Sequence, residues 1–317
     1  MIDLLIYGKI IIDDILLADG SVARGVLGGG GPQAAFGGRL WHDSVGFLSR
    51  SGTDLAAPHV QGLEALDIDL SGWVRFADIP TPYNQLISYD TEGYFATGDR
   101  SHMVMALDRA AWDRLLAQPL ALPAKYQTPQ AIHLITEFAR EPMVAAAHAL
   151  RQQGALFALE PIMDFRQWSN RAEMLELFKH VDMVTPDWPS ASGLAGSHDP
   201  YTVMRYWADL GPRLVAVRHS EHGSYVWSAD EDHIWHVPAV PVNVVDPTGA
   251  GNAYGGGLLA GWLHSRDAKA AGCHGAVAAS FLVERVGLPA MQPALRVALR
   301  VAAEERLQTT LAATSTL

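Results

Sequence analysis

The sequence predicts an α/β fold, with a mostly parallel central sheet, helices on both faces and a smaller sheet attached. Three observations lead there. Short apolar runs alternate with longer helical patterns through most of the 317 residues. At two places that rhythm breaks into consecutive strands with no helix between them. Two glycine clusters, Gly28 to Gly31 and Gly249 to Gly251, stand where extended chain would give way to helix.

Residues 4–7 read as the first strand. Residues 10–17 form a second strand immediately after Gly8. Asp13 and Asp14 are neighbours on it, so strand alternation sends them to opposite faces and only one can enter a cleft. A carboxylate there can hold sugar hydroxyls; a solvated strand end is the plainer reading. Gly28-Gly29-Gly30-Gly31 lets backbone approach a ligand closely, and Pro32 then suits the first turn of a helix over residues 32–41. Strict G-x-G-x-x-G fails, because the sixth position is Gln33 or Ala34, and no clear strand runs into the cluster. A P-loop is absent, and a flexible loop fits the cluster as well. Residues 45–48 read as a strand. Residues 84–97 read as two strands around the turn Asp90-Thr91-Glu92-Gly93. Together with the early extra strand they predict a small sheet that covers the C-terminal edge of the main one as a lid. Strands at 131–135, 155–159, 182–184 and 214–217 then alternate with helices at 142–153, 172–179, 201–210 and 268–286. The small, polar tail 308–317 is predicted to fray.

Residues 246–252 read Asp-Pro-Thr-Gly-Ala-Gly-Asn. A β-branched apolar run, 240–245, leads in as a strand, and a helix-compatible stretch, 253–263, leads out. Gly249, Ala250 and Gly251 leave the backbone unobstructed at that junction. Free amides and the positive end of the helix dipole then aim at one point, which suits a phosphate or a phosphoryl-transfer transition state. An ordinary glycine-rich turn is the alternative.

Composition sets bounds. With 49% hydrophobic and 18% charged residues, the chain can bury one large α/β domain or two smaller ones. A net charge of −11 argues against nucleic acid as partner, while a local glycine nest still admits a small anion. The single cysteine, Cys273, excludes an internal disulfide and fits a reducing, cytoplasmic setting. The first residues lack a basic leader with an apolar run, and nothing approaches the roughly 20 apolar residues that span a bilayer, so no membrane partner is expected. His233 and His236 fall on opposite faces of an extended segment. His219 and His222 flank a turn without further ligands, which favours solvated residues over a metal site. No G-x-S-x-G elbow supports a hydrolase.

These residues together resemble the PfkB carbohydrate kinases, the ribokinase-like family, over nearly the whole chain. The early strand with Gly8 and Asp13 or Asp14 resembles the family's substrate-binding start. Gly28 to Gln33 resembles its glycine-rich sugar motif, and Val45 to Asp54 the segment after it. Asp246 to Asn252 resembles its second signature, and His274 to Gly287 its adenine-side helix. The resemblance implies a three-layer α/β/α sandwich over residues 1–317 with a lid from about 9–27 and 78–104. It implies ATP, Mg2+ and K+ as cofactors and a sugar or nucleoside as substrate, with a homodimer through the lid edge as one assembly. It assigns the anion hole to Gly249, Ala250 and Gly251, and substrate contacts to Asp13, Asp14, Gly29, Gly30, Gly31 and Gln33. It assigns a cation loop to Asp246, and nucleotide contacts to Asp187, Arg218, Ser220, Thr248 and His274, while Cys273-His274 by its own pattern, without ligand spacing, reads as helix packing.

The chain also departs from that pattern. Where the family has its catalytic Asp, this chain has Asn252, and an amide cannot take the substrate proton as a base. Pro32 stands near a usual substrate-binding Asn, with Gln33 beside it. The family's N-x-x-E reads Asp187-Trp188-Pro189-Ser190, its Thr-x-Gly reads Arg218-His219-Ser220, and its Asp-Pro reads Glu160-Pro161 with Arg166. The expectation is an ATP-dependent kinase of reduced activity that Asn252→Asp raises. A catalytically silent binding protein on the same scaffold is the alternative.

Overall fold

The computed structural model describes residues 1–89, 104–105, 109–163, 165 and 167–317. The expected turn at 90–93, the strand beyond it to residue 97, and Arg166 lie outside the described residues. Ten strands form the main sheet: β1 (Leu4–Tyr7), β4 (Val45–Gly52), β5 (Asp69–Phe76), β8 (Ala131–Thr136), β9 (Leu156–Pro161), β10 (Met183–Val184), β11 (Leu214–Arg218), β12 (Ser224–Ser228), β13 (His233–Val237) and β14 (Ser315–Thr316). Their order is β14-β13-β12-β11-β10-β9-β8-β1-β4-β5. Pairing is parallel from β5 through β11, then antiparallel through β12, β13 and β14. A second sheet has the order β3-β2-β6-β7, from β2 (Ile11–Leu16), β3 (Val22–Gly28), β6 (Tyr83–Ile87) and β7 (Val104–Met105).

The four residues of β1 explain the layering. All are buried, and they alternate between two apolar cores. Leu4 and Ile6 join the core that holds Phe36, Leu258 and Phe281, from α1 (Gly31–Trp41), α8 (Ala250–Ser265) and α9 (Ala268–Val283). Leu5 and Tyr7 join the core that holds Met143, Phe178 and Trp207, from α4 (Pro142–Gln152), α5 (Arg171–Phe178) and α7 (Pro200–Asp209). A central parallel strand is covered on both faces, which is why it reads as an unbroken apolar run. The main sheet is therefore the middle layer of three, and two short helices, α2 (Ala57–Glu64) and α3 (Arg109–Ala117), follow β4 and β7 in the chain.

α1 and α8 fix the site. Each begins at one glycine cluster, and they pack with almost no side chain between them. A Cβ at Gly37 would stand 2.0 Å from the Ala253 carbonyl oxygen, and one at Gly256 would stand 2.0 Å from that of Ala34. Such close approach brings the two N-termini side by side.

Three expectations need correction. β3 (Val22–Gly28) does run straight into the first glycine cluster. Its charged and glycine-containing sequence hid it, because it is an outer strand of the smaller sheet with a mostly half-buried face. Residues 240–245 form no strand. Pro238, Pro241 and Pro247 each lack an N–H to donate, and the Val245 and Asp246 amides instead bond the Val283 carbonyl at the end of α9, at 2.7 and 3.1 Å. The tail is ordered: α10 (Pro293–Ala313) reaches residue 313, β14 pairs with β13, and the Leu317 amide bonds the Ile234 carbonyl at 3.0 Å. Only the open edge of β13, a tertiary feature, gives that polar segment a partner. Among the described residues no helix is long and apolar enough to cross a membrane.

Candidate active site

Gly249 caps α8 in the left-handed region, at φ 77°, which glycine adopts without strain. The helix then leaves its first amides without intrahelical acceptors. Ala250 turns its N–H to the Pro247 carbonyl at 3.2 Å. The amides of Gly251 and Asn252 find no acceptor among the described residues. The free amides of this helix start are thus those of Gly251 and Asn252, with Ala250 partly committed.

The first glycine cluster faces this point. Gly29 and Gly30 have φ of 90° and 83°, and Gly31 donates its amide to the Lys9 carbonyl at 3.2 Å. A Cβ at Gly30 would stand 2.9 Å from Asn252 Nδ2, and one at Gly249 would stand 2.3 Å from Gln33 Cγ. Any side chain at Gly30 would therefore press on Asn252. Gln33 donates Nε2 to the Leu27 carbonyl at 2.9 Å, while its buried Oε1 has no partner among the described residues.

Asp13 and Asp14 part company, as alternation requires. Asp13 turns toward the glycine cluster, where a Cβ at Gly28 would stand 1.8 Å from its Oδ2, and it accepts from Asn84 Nδ2 at 2.8 Å. Burial, with Asp246 and Asp14 adding repulsion, pushes its carboxyl up to about 7 against the bonds from Asn84 and Gly29. Asp14 faces the other way and accepts from Tyr83 Oη at 2.6 Å, the Gly25 amide at 2.8 Å and Arg24 Nη1 at 3.0 Å. Burial opposes ionisation, but those bonds outweigh it and hold Asp14 below its usual value. Asp14 is a strut of the smaller sheet, so of the two aspartates only Asp13 faces the glycine cluster. Asp246 lies close enough to Asp13 to repel it. It is buried, pushed up by that burial, and accepts the Thr248 amide at 2.9 Å.

Below α8 lies a network that the sequence did not reveal. Asn252 Nδ2 donates to Glu160 Oε1 at 2.8 Å, and Arg218 Nη1 pairs with the same oxygen at 2.9 Å. His133 Nε2 is 3.2 Å from Oε2. Burial pushes the Glu160 carboxyl up, but Arg218 and His133 more than compensate and keep it below its usual range. Arg218 also lies against the helix N-terminus, where a Cβ at Gly251 would stand 1.8 Å from its Nη1. A cation thus sits beside the free amides. The signals were a lone acid ending the apolar strand β9 and a lone histidine inside β8, and neither shows its partner without the parallel pairing of the two strands.

The remaining predicted nucleotide residues divide. Asp187 caps α6 (Trp188–Ala195) by accepting the Ser190 amide at 2.9 Å, and its backbone bridges to that of Arg218. Ser220 follows on an exposed turn, and Thr248 lies in the loop before the helix. His274 does not join them. It bonds the Ala270 carbonyl at 2.7 Å and packs edge-on against Trp41 at 4.5 Å. It also abuts Gly261, some three turns along α8 from the helix start. It is an interhelical packing residue. The rings of His219 and His222 converge to 4.6 Å, and Trp188 stacks on His219 at 4.0 Å. Burial, with His222 and His236, pushes His219 down to about 4. No cluster of three or more metal-ligating side chains occurs among the described residues.

Comparison with known proteins matches residues 1–295 to the model of the pfkB family carbohydrate kinases. A cytidine kinase of Thermococcus kodakarensis is 24% identical over 269 residues, covering 84% of this chain and 90% of that protein. A fructokinase of Klebsiella pneumoniae is 27% identical over 271 residues, covering 81% and 83%. The crystal structure of a fructokinase from Vibrio cholerae O395, bound to fructose, ADP and calcium ion, superposes with a TM-score of 0.73 at 18% identity, covering 97% of this chain and 99% of that one. That likeness is one of fold, the three-layer ribokinase-like sandwich.

Proposed function

The chain belongs to the pfkB family of carbohydrate kinases, and from that premise we propose that it transfers the terminal phosphate of ATP to a hydroxyl of a sugar, nucleoside or similar small alcohol. The observation that carries this reading is the convergence at the start of α8. The unbonded amides of Gly251 and Asn252, the guanidinium of Arg218 and the open backbone of Gly30 meet at one place. Phosphoryl transfer depends mainly on positioning and on stabilising charge on the transferring group. Two free amides and a cation supply the second, and Asp13 with the glycine cluster supplies the first.

The substrate oxygen attacks the terminal phosphorus. A new O–P bond forms, the bond to the bridging oxygen breaks, and its electron pair leaves with ADP. Asn252 orients the hydroxyl through Oδ1, and the proton passes to a phosphate oxygen. Asp187 fits a magnesium ion held through water, because Ser190 occupies only its Oδ1. Mg2+ bound there would neutralise charge across the phosphate oxygens. Asp246 fits a monovalent cation, being a buried carboxylate without a cationic side chain beside it among the described residues.

The test is ATP turnover with Mg2+ against a panel of sugars and nucleosides, with the phosphorylated product identified by mass. Turnover with at least one alcohol is expected. Calorimetric binding of nucleotide without product from any alcohol sinks the kinase reading in favour of a silent binding protein, which the missing base at 252 would explain.

A further inference from the structure

We propose that Glu160 is the anchoring acid of this site, a positioning residue whose carboxylate turns the Asn252 carbonyl oxygen toward the cleft and pins Arg218 against the start of α8. The proposal rests on the kinase reading and concerns the residue that lets an amide stand at the base position. A carboxylate only accepts, so the group that Asn252 presents to Glu160 must be its NH2. The 2.8 Å bond from Nδ2 to Glu160 Oε1 therefore fixes which end of the amide faces away from the acid. The end left over is Oδ1, an acceptor able to hold a substrate hydroxyl. Gly30 lies against the same amide, nearest its Nδ2, and only a residue without Cβ leaves room for it there.

Glu160 is surrounded by groups that require its negative charge. Arg218 from β11 pairs with it at 2.9 Å, His133 from β8 approaches at 3.2 Å, and Asn252 and Gly255 of α8 cover it. Arg218 and His133 keep the acid ionised despite its burial. Arg218 in turn leans on Gly251, with its Nε buried and without a partner among the described residues. One acid thus sets both the acceptor and the cation of the site.

The arrangement reverses a simple expectation. Replacing Asn252 by Asp does not just restore a base. It sets two carboxylates in hydrogen-bonding contact, and like charges that close cannot both ionise. Glu160 reaches one methylene further than the Asp usual in the family pattern, so in this chain the site tolerates one acid, at 160 or at 252.

Four proteins test this: the parent, Glu160→Gln, Asn252→Asp and the double variant. The first readout is the thermal unfolding midpoint from pH 5 to pH 8.5. Asn252→Asp is expected to fall below the parent at high pH and to approach it toward pH 5, as the pair takes up a proton. The double variant is expected to lose that pH-dependent gap. The second readout is kcat and KM with any panel alcohol that turns over. Each single variant is expected to lose about tenfold or more in kcat with little change in KM for ATP, and the double variant to return within about threefold of the parent. A purely structural Glu160 would lower the midpoint without rescue of kcat by a carboxylate at 252. The proposal is overturned if Asn252→Asp gains activity and keeps its stability at pH 8.5, or if the double variant recovers in neither readout. If no protein phosphorylates any alcohol, the kinase reading fails, and the pH-dependent unfolding cycle still decides whether Glu160 holds residue 252.

Discussion

Asp13 sets stability against its proposed substrate contact. Its carboxyl ordinarily titrates near 3.8 and is raised to about 7 in the fold, first by burial and then by Asp246 and Asp14. A raised folded value means the neutral form is preferred in the native state. The contribution to stability is therefore full below the unfolded value and is lost as pH rises through about 7. Asp13→Asn should raise the unfolding midpoint at pH 8 and leave it nearly unchanged at pH 3.5, while weakening alcohol binding at both. A pair of melting series checks the first part, and titration with the turnover substrate checks the second. A lower midpoint at pH 8 would show that Asn84 and Gly29 hold an ionised acid after all. Arg218 makes a second case. Gly251→Val would drive a side chain into its guanidinium, since even a Cβ lies 1.8 Å from Nη1. Loss of most turnover is expected with the fold retained, read by activity beside circular dichroism.

At the scale of elements, the site exists because α1 and α8 touch through glycine. Gly37→Ala places a methyl group 2.0 Å from the Ala253 carbonyl oxygen, so the helices must separate. Overpacking of this kind typically costs about 1–3 kcal/mol. Chemical denaturation should register a loss of that order, and turnover should fall further than stability alone predicts, because the same shift parts Gly30 from Asn252. An unchanged denaturation midpoint would mean the helices slide freely. Two helices were legible in the sequence from their starts, Pro32 and Pro142, whereas α10, which Pro293 opens, was not read. α6 was hidden, because Trp188-Pro189-Ser190 reads as a loop until Asp187 is seen to cap it.

The whole molecule is held by two apolar cores on either side of one sheet. Cys273 lies fully buried in the core that holds α9, and burial pushes its thiol up. Native labelling by iodoacetamide should be slow and should speed up only as the fold opens, because a thiolate in that position must first reach water. A labelling rate that follows global unfolding across a denaturant series is the expected result. Fast labelling of native protein would place a local opening between α9 and α10.

The sequence by itself determined the parallel α/β layering, since short apolar runs alternating with helical patterns call for a sheet whose parallel strands are joined through helices. It also pointed to a helix start at Gly249 to Gly251, because glycines between extended chain and a helical pattern can be read locally, while the structure decided that the free amides are those of Gly251 and Asn252. The tertiary structure alone decided which aspartate enters the cleft, whether His274 joins the site and which acid stands behind Asn252. Those are matters of direction and neighbourhood. Asp13 and Asp14 differ only in the face their strand presents, and Glu160 meets Asn252 from 92 positions away along the chain. A hydrogen bond over that separation follows from the packing of β9 beneath α8, which no local pattern of residues encodes.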